Sequence, residues 1–124
     1  MTAHSLAQRA YGQTAAPTRT ARGTEYDVMA RITHRLIAAA KQGRKGFNQL
    51  CQAVHDNRRM WTILATDVAD AGNPLPAELR ARIFYLAEFT QEHSSKVLRR
   101  EATVAPLVEI NTAVMRGLRK QGGA

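Results

Sequence analysis

Phe47, Leu50, Cys51, Val54, Trp61, Leu64, Ala65 and Val68 fall on one side of a cylinder that turns by about 100° per residue. A strand, with its period of two, cannot gather that set on one face, so the middle of the chain is committed to a long amphipathic helix. The run stops at Ala71-Gly72-Asn73-Pro74, where glycine and proline together prevent continuation. Composition agrees: alanine supplies 21 of the 124 residues, aromatics only 6%, and there are 8 Gly and 4 Pro. An alanine-rich chain poor in aromatics favours helices over a sandwich or barrel.

Other segments follow the same logic. A first helix is expected from Thr24 to Lys41, with Thr24 and Asp27 spaced like a capping box and Val28, Met29, Ile32, Leu36, Ile37 and Ala40 on its stripe. Gly43 and Gly46 bracket a basic turn, Arg44-Lys45, and the central helix starts near Gly46. Pro76 suits the first turn of a third helix, which carries Leu79, Ile83, Leu86, Ala87 and Val97 as far as Arg100. The last helix opens at Thr103, with Pro106 at its start and Val104, Leu107, Val108, Ile110, Val114, Met115 and Leu118 on its apolar side. Gly117 and Gly122-Gly123 are its stop signals.

Short connections make neighbours antiparallel, so the expected fold is all-α: a compact bundle of four main helices over residues 24–120. Residues 1–23, with Arg9, Arg19 and Arg22 but no acid, read as a short N-terminal helix and a linker. A chain of this length fits one domain able to bury its own core.

No apolar run approaches the roughly 20 residues that cross a bilayer. Met1 to Tyr11 lacks the form of a secretory signal, and the single cysteine, Cys51, cannot close an internal disulfide. The expectation is a cytoplasmic protein without membrane insertion.

Catalytic chemistry finds little support. Cys51 and His55, at i and i+4, could share a metal, yet no second pair has ligand spacing, and an inert thiol beside a surface imidazole is the simpler reading. On the apolar stripe that thiol is poorly placed as a nucleophile. Glu88 and Glu92 read as solvated surface, and Gly43-Arg44-Lys45-Gly46 is too short to cradle a phosphate. The sequence thus predicts no enzyme, no metal and no cofactor.

Charge and surplus apolar residues are more informative. The net charge is +8. Residues 1–59 hold ten bases and three acids, whereas 60–124 hold eight and seven. Arg31, Arg35, Arg44, Lys45, Arg58 and Arg59 are candidates for a basic face that attracts RNA or an acidic protein; the plain alternative is a solvated cationic surface. On the third helix, Phe84, Tyr85 and Phe89 lie off the main stripe, as do Met60 and Ile63 on the second. Together with Trp61 they are candidates for a groove that accepts a partner's amphipathic helix, unless both helices are simply central in the bundle. Asn57, Arg58 and Asn111 interrupt apolar stripes and must find hydrogen-bond partners or reach the rim.

An ordered set of residues resembles a known family. Asn57-Arg58-Arg59-Met60-Trp61-Thr62, Leu64-Ala65 with Asp67, Leu75-Pro76 with Leu79-Arg80 and Ile83, His93, Val97-Leu98, Ile110-Asn111 and Met115-Arg116-Gly117-Leu118 look like the alphaproteobacterial flagellar biosynthesis regulator FlaF. Tyr11 and the stretch Arg22 to Glu25 extend the similarity towards the N-terminus. The resemblance implies a non-enzymatic cytoplasmic protein needed for flagellin synthesis and secretion, acting with and against a second regulator, FlbT. It also implies direct, chaperone-like binding of flagellin. The alternative class is an RNA-binding post-transcriptional regulator of flagellin expression that uses the basic face.

Overall fold

A computed structural model describes residues 21–121, and side chains within residues 25–117. The expected short helix and linker fall almost wholly outside the described residues. Within them the chain forms four helices and no strand: α1 (Ala21–Lys41), α2 (Phe47–Ala69), α3 (Ala77–Leu98) and α4 (Ala105–Gln121). A single 3₁₀ turn, Gly43–Gly46, joins α1 to α2.

The all-α bundle is as expected, while several boundaries move. Helix α1 already runs at Ala21, so Thr24 lies within its range, three residues past its first. Helix α2 stops at Ala69, because Asp70 turns extended and its side chain receives the Gly72 N–H at 3.1 Å, while Asn73 Nδ2 donates to the Asp67 carbonyl at 3.2 Å. Pro76, extended at φ −56° and ψ 145°, sits one residue before α3 instead of within it. Helix α4 begins at Ala105, whose N–H is received by Thr103 Oγ1, and it continues through Gly117 to Gln121. Glycine alone lowers helix propensity without ending a helix whose apolar stripe continues.

Consecutive helices run antiparallel, and the packing order is a ring. Helix α1 lies against α2 and α4, and α2 against α1 and α3, whereas α3 and α4 touch over a much shorter stretch. One half of the core is Ile32, Leu36, Ala53, Val54, Val97 and Leu107; the other centres on Met29, Trp61 and Ala87. Leu36, Val54, Trp61 and Leu107 are fully buried, and truncating such a leucine to alanine typically costs about 2–5 kcal/mol.

The two helix ends at one pole of the bundle are built differently. Gly43, at φ 60°, ends α1 in the left-handed region that glycine enters freely. Gly46 is buried so tightly that a Cβ there would collide with the Ala39 carbonyl oxygen, which fixes the Arg44-Lys45 turn against the end of α1. Helix α3 ends in a Schellman motif: the Glu101 N–H donates to the Lys96 carbonyl at 2.9 Å and the Arg100 N–H to the Val97 carbonyl at 3.0 Å. Its left-handed residue is Arg100, at φ 61°, where glycine would be favoured by about 1 kcal/mol.

Candidate functional site

Trp61 is completely buried, and its place in a groove is corrected accordingly. Its indole N–H would be costly to bury alone, and it donates to Asn111 Oδ1 at 2.9 Å. Asn111 Nδ2 in turn donates to Asn57 Oδ1 at 2.8 Å and to Thr33 Oγ1 at 3.1 Å, and the Thr33 hydroxyl returns to the Met29 carbonyl at 2.7 Å. One asparagine therefore ties α1, α2 and α4 together through the middle of the bundle. The polar interruptions at Asn57 and Asn111 are structural.

Arg58 is corrected in the same way. It does not stand on an open basic face: its guanidinium donates to the Gln91 carbonyl at 2.8 Å and to the Ser95 hydroxyl. Gln91 answers with its amide, donating to the Arg58 carbonyl at 3.2 Å and to Thr62 Oγ1 at 3.1 Å. This reciprocal clamp defines the α2–α3 seam. Arg35 is paired across the α1–α2 seam with Asp56 at 2.7 Å. Arg31, Arg44, Lys45 and Arg59 remain exposed, but they do not form one surface. Arg44 and Lys45 are on the 3₁₀ turn at the pole, whereas Arg31 and Arg59 lie part-way along α1 and α2.

The expected apolar groove is likewise divided. Met60 packs into both halves of the core. Ile63 follows Asp56 by seven residues and so shares the flank of α2 that faces α1, away from α3. Phe84, seven residues before Gln91, sits on the α2 flank of α3. Tyr85 and Phe89 step by four along the other flank, towards His93.

That second flank is where side chains converge. Phe89 and His93 stack with ring centroids 5.5 Å apart and planes at 13°. His93 Nε2 donates to the Thr103 carbonyl at 2.8 Å, which ties the strip to the segment entering α4; a carbonyl can only accept, so this bond places the imidazole proton on Nε2. Tyr85 is 67% exposed and Phe89 37%, unusual for large apolar groups beside an interhelical seam. Below them Ile83, Leu86, Ile110, Val114 and Met115 are only partly buried as they pack over Trp61 from α3 and α4. The strip Tyr85, Phe89 and His93 thus borders the seam that the bundle closes least. Apolar patterning alone passes over His93; its spacing of four from Phe89 is the signal in the sequence that points to it.

Among the described residues, no three His, Cys, Asp or Glu side chains gather as metal ligands, and no helix is long and apolar enough to cross a membrane. Cys51 is a half-buried free thiol. A second apolar groove, of about 440 Å³, lies between α1 and α4 and is lined by Ile37, Ala40, Val104, Ala105 and Val108, with Lys41 and Glu109 at its edges.

These features define a small all-helical bundle with a polar central tie and an aromatic strip left in solvent. The family described as flagellar protein FlaF has a sequence model that matches residues 7–118, and the chain belongs to that family. No curated protein and no solved structure matches the chain.

Proposed function

We propose that this protein is a non-enzymatic, chaperone-like adaptor of the cytoplasm that binds flagellin and supports its synthesis and secretion, with FlbT as the regulator it works alongside. Flagellar family membership supplies the pathway. The observation that carries the binding reading is the strip of exposed Tyr85 and Phe89 with half-buried His93 beside the loosely closed α3–α4 seam. A partner's amphipathic helix laid along that seam would cover both aromatic rings and the half-buried Ile83, Leu86 and Met115 in one interface. A flagellin subunit awaiting assembly carries helical segments with unsatisfied apolar stripes, and such segments aggregate unless covered.

The test is calorimetric titration of purified flagellin into the wild-type protein and into Tyr85→Ala/Phe89→Ala. Both side chains are exposed, so the double variant is expected to fold, and its far-UV circular dichroism checks this. Loss of two central aromatic anchors is expected to weaken binding by at least tenfold. Unchanged affinity in a folded double variant removes the strip from the flagellin interface.

A further inference from the structure

We propose that the pole of the bundle formed by the 3₁₀ turn and the end of α3 is a binding surface for single-stranded nucleic acid, with Arg44, Lys45, Lys96 and Arg100 as the residues that engage it. The exposed cations that the structure brings together are not those grouped by sequence position. Arg44 and Lys45 come from the turn between α1 and α2, and Lys96 and Arg100 come from the end of α3, about fifty residues later in the chain. The link between them is direct: the Arg100 guanidinium lies 4.2 Å above the centre of the Phe47 ring, and Phe47 is the residue that follows the turn.

Residues 41–47 and 96–101 together hold six cations, Lys41, Arg44, Lys45, Lys96, Arg99 and Arg100, and one acid, Glu101. That acid is already engaged, because Arg99 Nε donates to it at 2.8 Å. Lys41 shares its groove with Glu109, which leaves Arg44, Lys45 and Arg100 as the open set, with Lys96 next to them and acting only weakly on Glu101.

Two further observations separate this pole from an ordinary cationic surface. The Arg100 backbone is left-handed at a position where Gly43, at the end of α1, shows the expected residue. The cost of that backbone is offset in part by the contact of the Arg100 guanidinium with Phe47, which fixes this cation beside the turn. The turn bearing Arg44 and Lys45 is also packed closely on the end of α1, where Gly46 approaches the Ala39 carbonyl.

The partner's class follows from what the pole lacks and what it offers. Among the described residues the exposed large apolar side chains, Phe84, Tyr85 and Phe89, all belong to the body of α3 and none is at this pole, and the apolar groove that Lys41 lines runs between α1 and α4 without any of the four named cations. A protein partner needs an apolar centre to its interface, whereas a phosphate backbone needs only cations. Arg100 is exposed with its guanidinium over the Phe47 ring, and an arginine so placed is a group on which an unpaired base stacks in single-strand recognition.

The test is fluorescence anisotropy of a labelled single-stranded RNA of mixed sequence, titrated with the full chain across a series of salt concentrations. Arg100→Gly is the informative substitution, because glycine is the residue the backbone favours there and the fold is expected to be retained. Combined with Lys45→Gln, it is expected to weaken binding about tenfold and to reduce the salt slope by about one for each phosphate left without its cation. Arg31→Gln/Arg59→Gln, which removes equal charge away from the pole, is expected to change affinity by less than about twofold. Equal losses from the two pairs would reduce the effect to diffuse net charge and overturn the site. Absence of binding at physiological salt overturns it as well. Displacement of the RNA by polyglutamate of matched charge overturns the nucleic-acid assignment, since the pole would then recognise acidic chains in general.

Discussion

At the scale of single residues, Asn111 has the largest expected effect for its size. It is fully buried, and its amide makes three hydrogen bonds, accepting from Trp61 and donating to Asn57 and Thr33. Asn111→Ala leaves the indole N–H of Trp61 without an acceptor in the core and opens a small cavity beside it. The expected loss is about 3 kcal/mol, from one orphaned donor and the missing side-chain volume. Thermal unfolding by circular dichroism checks this, with a Tm lower by at least about 10 °C for a domain of this size. A second residue-scale prediction concerns Glu101. The hydrogen bond from Arg99, and then the positive charges of Arg99 and Lys96, hold its carboxyl below the usual glutamate range. A depressed carboxyl supports the fold above its unfolded pKa and loses that support as pH falls through its folded value. The Glu101 side chain, followed by NMR, is expected to titrate lower than a free glutamate and to return towards the ordinary value in Arg99→Gln. Both groups are exposed, so added salt is expected to narrow the difference.

At the scale of elements, apolar periodicity identified all four helices, because each buries one stripe and a stripe is a property of sequence. It could not tell which residues just off a stripe face a neighbour and which face solvent. Met60 and Phe84 sit similarly off their helices' main faces, yet Met60 is absorbed between two halves of the core and Phe84 is 43% exposed. The difference lies in the packing ring: α2 is flanked by α1 and α3 along its length, while α3 has α2 on one side and only a brief meeting with α4 on the other. The basic residues show the same limit. Arg58 looked no different from Arg59 in sequence, but the difference of one position around the helix aims Arg58 at the Gln91 carbonyl and Ser95 and leaves Arg59 in water. Arg100 was legible as a basic residue at a helix end; that its backbone is left-handed and its side chain lies on Phe47 depends on the meeting of distant parts of the chain.

At the scale of the whole molecule, the unequal ring gives the helices unequal support. Helix α1 is held on two sides and α2 on two, and Asn111 fastens α4 to both through the core. Helix α3 is held mainly by α2, through the Arg58–Gln91 clamp and the packing of Ala87 and Val97. Its buried face also carries Thr90 Oγ1 and Ser94 Oγ without hydrogen-bond partners, a cost α2 shares at Asn57 Nδ2 and Arg58 Nε, so the unequal packing is what distinguishes the two helices. Local opening should therefore begin with α3, at a free energy below that of global unfolding. Hydrogen exchange followed by mass spectrometry is expected to show α3 amides exchanging at least about tenfold faster than those of α1 and α2 around Leu36 and Val54. The aromatic strip rides on α3, so a helix partner that fills the α3–α4 seam should supply the missing second neighbour. Exchange in α3 is then expected to slow towards that of α2 when flagellin is bound, with little change at the Arg44-Lys45 turn. Uniform exchange across the four helices in the free protein would contradict the unequal ring. Slowing confined to the pole would place the partner there instead.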